Sequence, residues 1–428
     1  MKKFLLASSI ALIFSQVAFS NEQEQELPQS RFESLTKLTQ VIGTVEKYYV
    51  DDIKLEAIVN KAIKGLMEEL DAHSTFLDKK STKEMSIQTN GEFGGLGITV
   101  GMRDGALTVI SPIDGTPAYK AGVKAGDIIL KIDNKSTLNM SLDEAVSLMR
   151  GKPKTKIDIT VVRKGENKPL KITIVRDIIK IDSVFVKTIN KDLLYLRITS
   201  FDKNVTKSLI EGLNKHKNIK GIILDLRNNP GGLLTQAIGT VDLFVNSGVI
   251  VSQKGRDLTD EEKFYAKSST TLTDAPMVVL VNGGSASASE IVSGALQDNK
   301  RAVIVGEKTF GKGSVQAVLP IVKDRSENIK LTIAKYYLPS GRTIQAKGIT
   351  PDILSYPGKA VAGDDSQFQI KEADLKKHLK EELEKVDSIK KDNKKSKNDM
   401  VITKEDIAND NQLNSAINIL KSLIIMSK

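Results

Sequence analysis

The run Gly221-Ile-Ile-Leu-Asp-Leu-Arg-Asn-Asn-Pro-Gly-Gly-Leu-Leu234 carries the clearest evidence of fold class. Its first six residues are almost all apolar, which is typical of a strand buried on both faces, and a glycine-rich turn then leads into a predicted helix. Residues 193–198 and 277–281 are similar apolar runs, and each also precedes a segment with helical spacing. This alternation predicts an α/β core over residues 177–356.

The first twenty residues are typical of an export signal. Lys2 and Lys3 precede a short apolar run, and Ala18-Phe-Ser20 places small residues where a signal peptidase reads the chain. We therefore expect cleavage after Ser20, with an uncleaved anchor as the alternative. The complete lack of cysteine suits an exported bacterial protein, in the periplasm or cell envelope.

Two further regions are predicted to be helical. In the N-terminal region, residues 21–86, apolar side chains recur at helical spacing from residue 32 to residue 70, and they do so again at residues 411–426. The C-terminal region, residues 357–428, is also rich in lysine and acids. Within it we expect a charged helix at 368–386 and a solvated linker at 390–398.

The composition excludes several classes of function. The formal charge is +10, but lysines alternate with acids along most of the chain, and no compact basic patch carries interleaved aromatics. Nucleic-acid binding is therefore not expected, although weak attraction to anionic membranes remains open. Without cysteine there are no disulfides, thiolate metal sites or cysteine nucleophiles.

The segment Gly115-Thr-Pro-Ala-Tyr-Lys-Ala-Gly-Val-Lys-Ala-Gly-Asp-Ile-Ile-Leu-Lys-Ile-Asp133 closely resembles bacterial PDZ domains. We assign such a domain to residues 87–176, between the N-terminal helices and the core. Its glycines would let backbone N–H groups converge on a peptide carboxylate, and the next strand would pair with the peptide. The alternative is that these glycines only form a tight turn. The predicted carboxylate-binding loop is Gly94, Gly95, Leu96 and Gly97.

The run Asn282-Gly-Gly-Ser-Ala-Ser-Ala-Ser-Glu290 follows a buried strand and opens a predicted helix. A serine at that junction would have free helix N–H groups beside it, which favour a developing oxyanion. Alternatively, the three serines only cap the helix and pack. The glycine that a nucleophile elbow requires after the serine is missing, so we do not predict an elbow.

A lysine is the best candidate for a catalytic base. The histidines, His73, His216 and His378, occupy positions where structural roles are expected. Lys312 stands between two glycines with mainly apolar neighbours, a setting that favours the neutral amine that a base must be. The run before it imitates a P-loop, but Gly313 replaces the required serine or threonine, so nucleotide binding is not expected.

The Asn-Pro-Gly-Gly turn at residues 229–232 is a third candidate element. It could present backbone N–H groups to an oxyanion, or it could serve only as a tight connection between strand and helix. Together with the serine run, the PDZ segment and Thr309-Phe-Gly-Lys-Gly-Ser-Val-Gln316, it resembles the carboxyl-terminal processing, or tail-specific, proteases. The resemblance extends from the N-terminal helices to about residue 353.

Membership of that family would imply a crotonase- or ClpP-like α/β core with an inserted PDZ domain. It would also imply a Ser-Lys endopeptidase that needs no metal or cofactor. Asp298 matches an acidic residue implicated in some members. We give this assignment less weight, because an acid close to Lys312 would raise the pKa of the lysine. The remaining implied roles are nucleophile for Ser287, base for Lys312, base-orienting residue for Gln316, and oxyanion donors for Ala288 with Gly231 or Gly232.

We therefore expect an exported endopeptidase that processes or degrades proteins, whose C-terminal tails it recognises through the PDZ domain. A homodimer or an adaptor protein is a further possible partnership, since the terminal helices are amphipathic. A non-catalytic PDZ scaffold or holdase of the cell envelope is the main alternative. An enoyl-CoA hydratase would share the core fold, but would not explain Lys312 or the PDZ segment.

Overall fold

The computed structural model describes residues 28–103, 105–257, 261–360 and 400–427. The export signal, the helix expected at 368–386 and the linker expected at 390–398 lie outside these ranges. The chain divides after Ala72 into two compact units. Within the described residues, no helix is both long enough and apolar enough to cross a bilayer.

The first unit contains two helices, as the apolar spacing predicts: α1 (Pro28–Tyr48) and α2 (Leu55–Glu68). Ile58 and Met67 of α2 are buried. Leu35 and Leu38 of α1 are instead 58% and 51% exposed, so α1 keeps an apolar surface in contact with solvent.

The second unit opens with β1 (Thr75–Leu77), α3 (Lys79–Asn90) and β2 (Glu92–Gly95). Asp78 caps α3 by accepting a hydrogen bond from the N–H of Ser81. Gly91 ends the helix in the left-handed region (φ 64°), where glycine avoids the steric cost of a side chain.

The predicted PDZ segment forms its own sheet and core. The strand order is β3-β4-β5-β7-β8, with β6 paired to β5. Ser141 is the N-cap of helix α5, and its Ser-x-x-Glu pattern forms a capping box in which Ser141 and Glu144 satisfy each other's backbone N–H groups. The elements are β3 (Ile98–Arg103), β4 (Ala106–Pro112), α4 (Pro117–Lys120), β5 (Ile128–Ile132), β6 (Lys135–Ser136), α5 (Leu142–Met149), β7 (Lys156–Val162) and β8 (Leu170–Val175).

A ribbon of two antiparallel strands joins this sheet to the rest of the unit. It consists of β2 and β9 (Asp177–Lys180), with Glu92 opposite Lys180 and Gly95 opposite Asp177. The chain therefore enters and leaves the PDZ segment through neighbouring strands.

The core has the α/β architecture that the alternating pattern predicts. Its main sheet runs β10-β11-β12-β15-β16-β19; all pairs are parallel except β10 with β11. The elements are β10 (Val184–Asn190), β11 (Leu193–Ile198), α6 (Val205–Lys215), β12 (Gly221–Asp225), α7 (Leu234–Asp242), β13 (Val249–Lys254), β14 (Glu261–Tyr265), β15 (Met277–Val281), α8 (Ala288–Asp298), β16 (Val303–Gly306), β17 (Ser314–Pro320), β18 (Asn328–Tyr337), β19 (Ile353–Leu354), α9 (Lys404–Asn409) and α10 (Asn411–Met426).

Both faces of this sheet are covered. Residues such as Leu224 and Val279 belong to a cluster with α6, α7 and α8, whereas Ile223 and Val278 belong to a cluster with α10. Successive strand residues point to opposite faces, so covering both faces requires continuous apolar runs. This arrangement explains why β12 and β15 contain almost no polar residues.

A second sheet was not predicted from the sequence. It joins β1, β18, β13 and β14, and β17 pairs with β18 as an antiparallel hairpin. Val315 pairs with Ala334 but Gln316 pairs with Thr332, which leaves Ile333 as an extra, bulged residue. Bulges of this kind re-aim side chains and are common beside functional sites.

Helix α10 should contribute strongly to stability through its inner face. Leu420 is fully buried, so Leu420→Ala should lower the free energy of unfolding by about 2–5 kcal/mol because it leaves a cavity. Ile425 of the same helix is 72% exposed, and Ile425→Ala should change that energy by less than about 0.5 kcal/mol. Urea unfolding of both variants checks this; equal effects would contradict the packing of α10.

Candidate active site

The loops after β12 and β15 meet at the carboxyl edge of the parallel sheet. These strands are neighbours, with Asp225 opposite Leu280. The N–H of Asn228 donates to Asn282 Oδ1 (2.8 Å), and Asn282 Nδ2 donates back to Asn228 Oδ1 (2.9 Å). This exchange holds the two loops together where ligands of such sheets usually bind.

The three serines of the second loop have different surroundings. Ser285 and Ser289 are fully buried, and their hydroxyls donate to the carbonyls of Leu226 (2.8 Å) and Asn229 (2.9 Å). The packing interpretation therefore holds for these two serines. Ser287, between them, is partly exposed.

The backbone of Ser287 is strained. Its φ of 53° and ψ of −112° lie outside the regions that non-glycine residues normally adopt. Such a conformation costs on the order of 1–3 kcal/mol and is found mainly at functional sites. The glycine spacing of a nucleophile elbow is missing, yet the chain makes the same kind of sharp strand-to-helix turn.

The first loop packs directly against this turn. A Cβ atom at Gly231 would lie 2.8 Å from the carbonyl oxygen of Ala286, 2.9 Å from Ser287 Cβ and 3.0 Å from the Ala288 nitrogen. Only glycine fits there, and its φ of 102° also requires glycine. Gly232 is the next residue and is exposed. The structure thus brings together the three predicted oxyanion residues, Gly231, Gly232 and Ala288.

A buried carboxylate joins the serine turn to the lysine loop. Glu290, in the first turn of α8, is fully buried. Its Oε1 accepts from the hydroxyl of Thr309 (2.6 Å) and the N–H of Gly311 (2.7 Å). Its Oε2 accepts from the N–H groups of Ser287 and Lys312, both at 2.8 Å. The backbone nitrogens of Ser287 and Lys312 are therefore no farther apart than twice that distance.

Sequence reasoning missed Glu290. It stands three residues after Ser287, where a helix-capping glutamate is common, so its position alone did not suggest a second role. The same contacts correct one expectation. The sequence predicts mainly apolar neighbours for Lys312, but its backbone N–H donates to the Glu290 carboxylate.

The lysine loop is fixed at three consecutive backbone positions. Beyond the bonds of Gly311 and Lys312 to Glu290, the N–H of Gly313 donates to Gln345 Oε1 (3.0 Å). A Cβ at Gly313 would lie only 2.5 Å from the Gln345 nitrogen, so the loop could not pack this way with a side chain there. Lys312 itself is half-buried.

Gln316 lies four residues farther along, on β17. Its Nε2 donates to the hydroxyls of Ser314 (2.8 Å) and Thr332 (3.2 Å). The N–H of Thr332 donates in turn to Ser74 Oγ (3.1 Å). These bonds occupy the amide nitrogen of Gln316 and so determine which way its carbonyl oxygen points.

Asp298 occupies the opposite end of α8 from Ser287. Asp298 is the last of the 11 residues of α8, so it lies roughly 16 Å from Ser287 at 1.5 Å per residue. Its carboxylate accepts from Arg342 Nη2 (2.8 Å) and from the N–H of Ser340 (3.0 Å). Asp298 thus anchors the turn that follows β18. Of the histidines, His216 is the C-cap of α6 and His378 lies outside the described residues.

A second buried carboxylate supports the first loop. Asp225 accepts from the hydroxyl of Tyr195 (2.7 Å) and from Arg227 Nη2 (2.6 Å), and Arg227 Nη2 also donates to Asp410 (2.8 Å), the N-cap of α10. Burial raises the pKa of Asp410, but hydrogen bonds from Arg227 and the N–H of Leu413 outweigh it and hold this pKa below its ordinary value. The C-terminal helix is therefore bonded to the loop that carries Gly231.

The predicted carboxylate-binding loop precedes an exposed sheet edge. Gly97 has a φ of 75°, and a Cβ there would collide with Thr116, while a Cβ at Gly94 would collide with the Gly151 carbonyl. Leu96 is buried, and its carbonyl accepts from the N–H of Ala118 (2.9 Å). Half of the predicted loop is strand, because Gly94 and Gly95 end β2 opposite Ile178 and Asp177, and only Leu96 and Gly97 lie between β2 and β3. Among the described strands β3 pairs only with β4, so an edge remains beside the loop, as peptide addition requires.

Known proteins match both parts of the chain. Residues 192–355 match the peptidase family S41, and residues 108–163 match the PDZ domain. A carboxy-terminal-processing protease of Bartonella bacilliformis is 40% identical over 98% of this chain and 94% of its own length. This chain belongs to the carboxy-terminal-processing proteases. It is therefore a serine-type protease with a PDZ domain.

The chain is also similar to other proteins of this kind. The carboxy-terminal processing protease CtpA of Bacillus subtilis is 36% identical over 82% of this chain and 74% of its own length. A solved photosystem II D1 C-terminal processing protease is 27% identical, covers 76% of this chain and 88% of its own, and aligns with a TM-score of 0.44.

Removing one oxygen of the Glu290 carboxylate should disturb the protease site. In Glu290→Gln, an amide NH₂ would face two of the four donors, which would push the serine turn and the lysine loop apart. A displacement of about 1 Å can cost about 100-fold in turnover. We expect a fall in kcat of that order, measured below the melting temperature of both proteins. Glu211→Gln, on an exposed face of α6, is the matched control and should retain activity. Wild-type turnover in Glu290→Gln would contradict this role.

Proposed function

We propose that this protein is a Ser-Lys endopeptidase that processes or degrades exported proteins and recognises their C-terminal tails. The observation that carries the proposal is the shared Oε2 of Glu290, which binds the backbone N–H groups of both Ser287 and Lys312. The strained backbone of Ser287 and the N-terminus of α8 beside it support the role of nucleophile.

In the proposed reaction, neutral Lys312 accepts the proton of the Ser287 hydroxyl, and Oγ attacks the scissile carbonyl carbon. The tetrahedral oxyanion is stabilised by backbone N–H groups. Collapse breaks the C–N bond, the amine leaves with the proton from Lys312, and an acyl-enzyme remains. Lys312 then takes a proton from water as the water oxygen attacks the acyl carbon. The ester C–O bond breaks, the acid leaves, and Ser287 Oγ takes the proton back from Lys312. Gln316 orients the lysine through its side-chain carbonyl, and no step calls on a cofactor.

The oxyanion donors are proposed to be the N–H groups of Ala288 and Gly232. The N–H of Gly231 already donates to Asn229 Oδ1 (2.9 Å). Gly232 is exposed and follows directly, so its N–H is the better placed of the two. Such donors act strongly because they are fixed before charge develops.

The wider setting is also part of the proposal. The parallel sheet with its helices supports a crotonase- or ClpP-like core. Residues 1–20 support export to the periplasm or cell envelope, with possible membrane association. The exposed Leu35 and Leu38 of α1 are compatible with a homodimer or an adaptor protein.

Single substitutions test the dyad. Ser287→Ala and Lys312→Ala should each reduce cleavage of a protein with an apolar C-terminus by at least about 1,000-fold, since each removes a reacting group. Lys308→Ala is the matched control, because Lys308 is exposed four residues before Lys312. The readout is the initial rate of cleavage followed by mass spectrometry. Wild-type rates in both dyad variants would leave the scaffold or holdase interpretation instead.

We also propose that the PDZ domain gates the site. Strand β2 leads into the carboxylate-binding loop, and Glu92 on β2 bonds Lys203 (2.7 Å). Phe201 lies two residues before Lys203, and its N–H donates to the Gly231 carbonyl (2.9 Å). A short run of backbone therefore connects the peptide-binding loop to the oxyanion loop.

Deletion of residues 88–175 tests tail recognition by the PDZ domain. The shortened protein should lose its preference for a tagged substrate with a free apolar C-terminus over the same substrate ending in an amide. With the intact protein, the amide should raise KM, because it lacks the carboxylate that the loop binds. An unchanged preference after the deletion would contradict tail recognition by this domain.

A further inference from the structure

Strand β17 lies at the edge of the second sheet and starts next to the dyad. It begins at Ser314, two residues after Lys312. Residue Lys335 of β18 pairs with Ser314 on one side and with Lys254 of β13 on the other. Among the described strands β17 has no partner besides β18, so its other edge is not paired with a strand. Burial decreases along β17, from the buried Ser314 and Val315 to the exposed Val318 and Leu319.

The other edges of this sheet are protected against strand addition, and β17 is not. Edge strands are usually kept single by charged side chains or by short length. Strand β14 carries Glu261, Glu262 and Lys263, and β1 has only three residues. The seven residues of β17 include no charge, in a chain of which 27% is charged. Such an edge is suited to pairing with another strand.

Apolar side chains accompany this edge. Val318 and Leu319 of β17 are 48% and 40% exposed. Ile333, bulged opposite Val315 and Gln316, is 46% exposed. Phe310, two residues before Lys312, is 64% exposed. Pro320 closes the strand, because proline has no N–H to offer a ladder. Exposed apolar side chains thus lie in the lysine loop before β17 and again in the second half of the strand.

We propose that the free edge of β17 binds the substrate as an added β-strand, an extended apolar segment that continues into the dyad. The inference rests on the proposed function and specifies how its substrate is held. The occupant is a polypeptide because the edge offers alternating backbone donors and acceptors, which an extended backbone matches. It is the substrate because the same backbone runs without interruption into Lys312.

This mode of binding depends more on the main chain of the substrate than on its side chains. Only alternate residues of an added strand direct their N–H groups at the edge, while the side chains lie on the two faces of the sheet. Exposed apolar faces would favour, without requiring, apolar substrate side chains near the scissile bond. The site is separate from the carboxylate-binding loop at residues 94–97.

An N-methyl scan tests the proposal. A peptide of about twelve apolar residues, ending in an amide so that no carboxylate engages the PDZ loop, is methylated at one backbone nitrogen at a time. Each methyl removes one donor. We expect kcat/KM to fall by about tenfold or more at every second position beside the scissile bond and to change little at the positions between. Cleavage sites are mapped by mass spectrometry.

Edge variants provide the matched control on the protein. Val318→Lys places a charge on the proposed binding edge and should raise KM with a smaller effect on kcat. Tyr265→Lys makes the same change on the far edge, β14, where Tyr265 is 56% exposed, and should leave both constants unchanged. Melting temperatures of both variants show that the fold is retained.

The outcomes separate the two proposals. If the unmethylated peptide is cleaved by the wild type and not by Ser287→Ala, the dyad holds. A methylation profile without two-residue alternation then overturns strand addition alone. If Ser287→Ala cleaves as fast as the wild type, the proposed function fails, and the inference about β17 fails with it.

Discussion

The Glu290 carboxylate is the interaction on which the site depends. A buried carboxylate is costly unless donors surround it, and here two backbone N–H groups from the lysine loop, one from Ser287 and one hydroxyl do so. The same four bonds that make its burial tolerable bring a strained helix start and a separate loop together. The bonds that allow Glu290 to be buried are therefore the same bonds that position Ser287 and Lys312.

Asp225 has a similar role on the other side of the site. It gathers Tyr195 and Arg227 at the end of β12, and Arg227 extends the network to Asp410 at the start of α10. The helix that covers one face of the sheet is therefore tied to the loop that packs against Ser287. The loop keeps its shape because both its backbone contacts and this ion-pair network hold it.

The substrate contacts that we propose are largely made by the protein backbone. The loop at residues 94–97 and the edges of β3 and β17 all offer main-chain groups, as do the proposed oxyanion donors Gly232 and Ala288. Glycines at the close approaches make this possible, since a Cβ at Gly231 or Gly313 would displace the neighbouring loop. A protease that reads main chain in this way can accept many unfolded sequences.

By itself, the sequence determined the elements with strong periodicity: the apolar strands β11, β12 and β15, the capping box at Ser141 and the helix at Asn411–Met426. It also singled out Ser287, Lys312 and Gln316, because their local motifs and the family resemblance agree. Only the tertiary structure decided what depends on distant partners. It gave Glu290 its second role, bonded Asp298 to Arg342 and Ser340, and assembled the sheet that contains β17. These features arise from contacts between segments far apart in the chain, which local spacing does not encode.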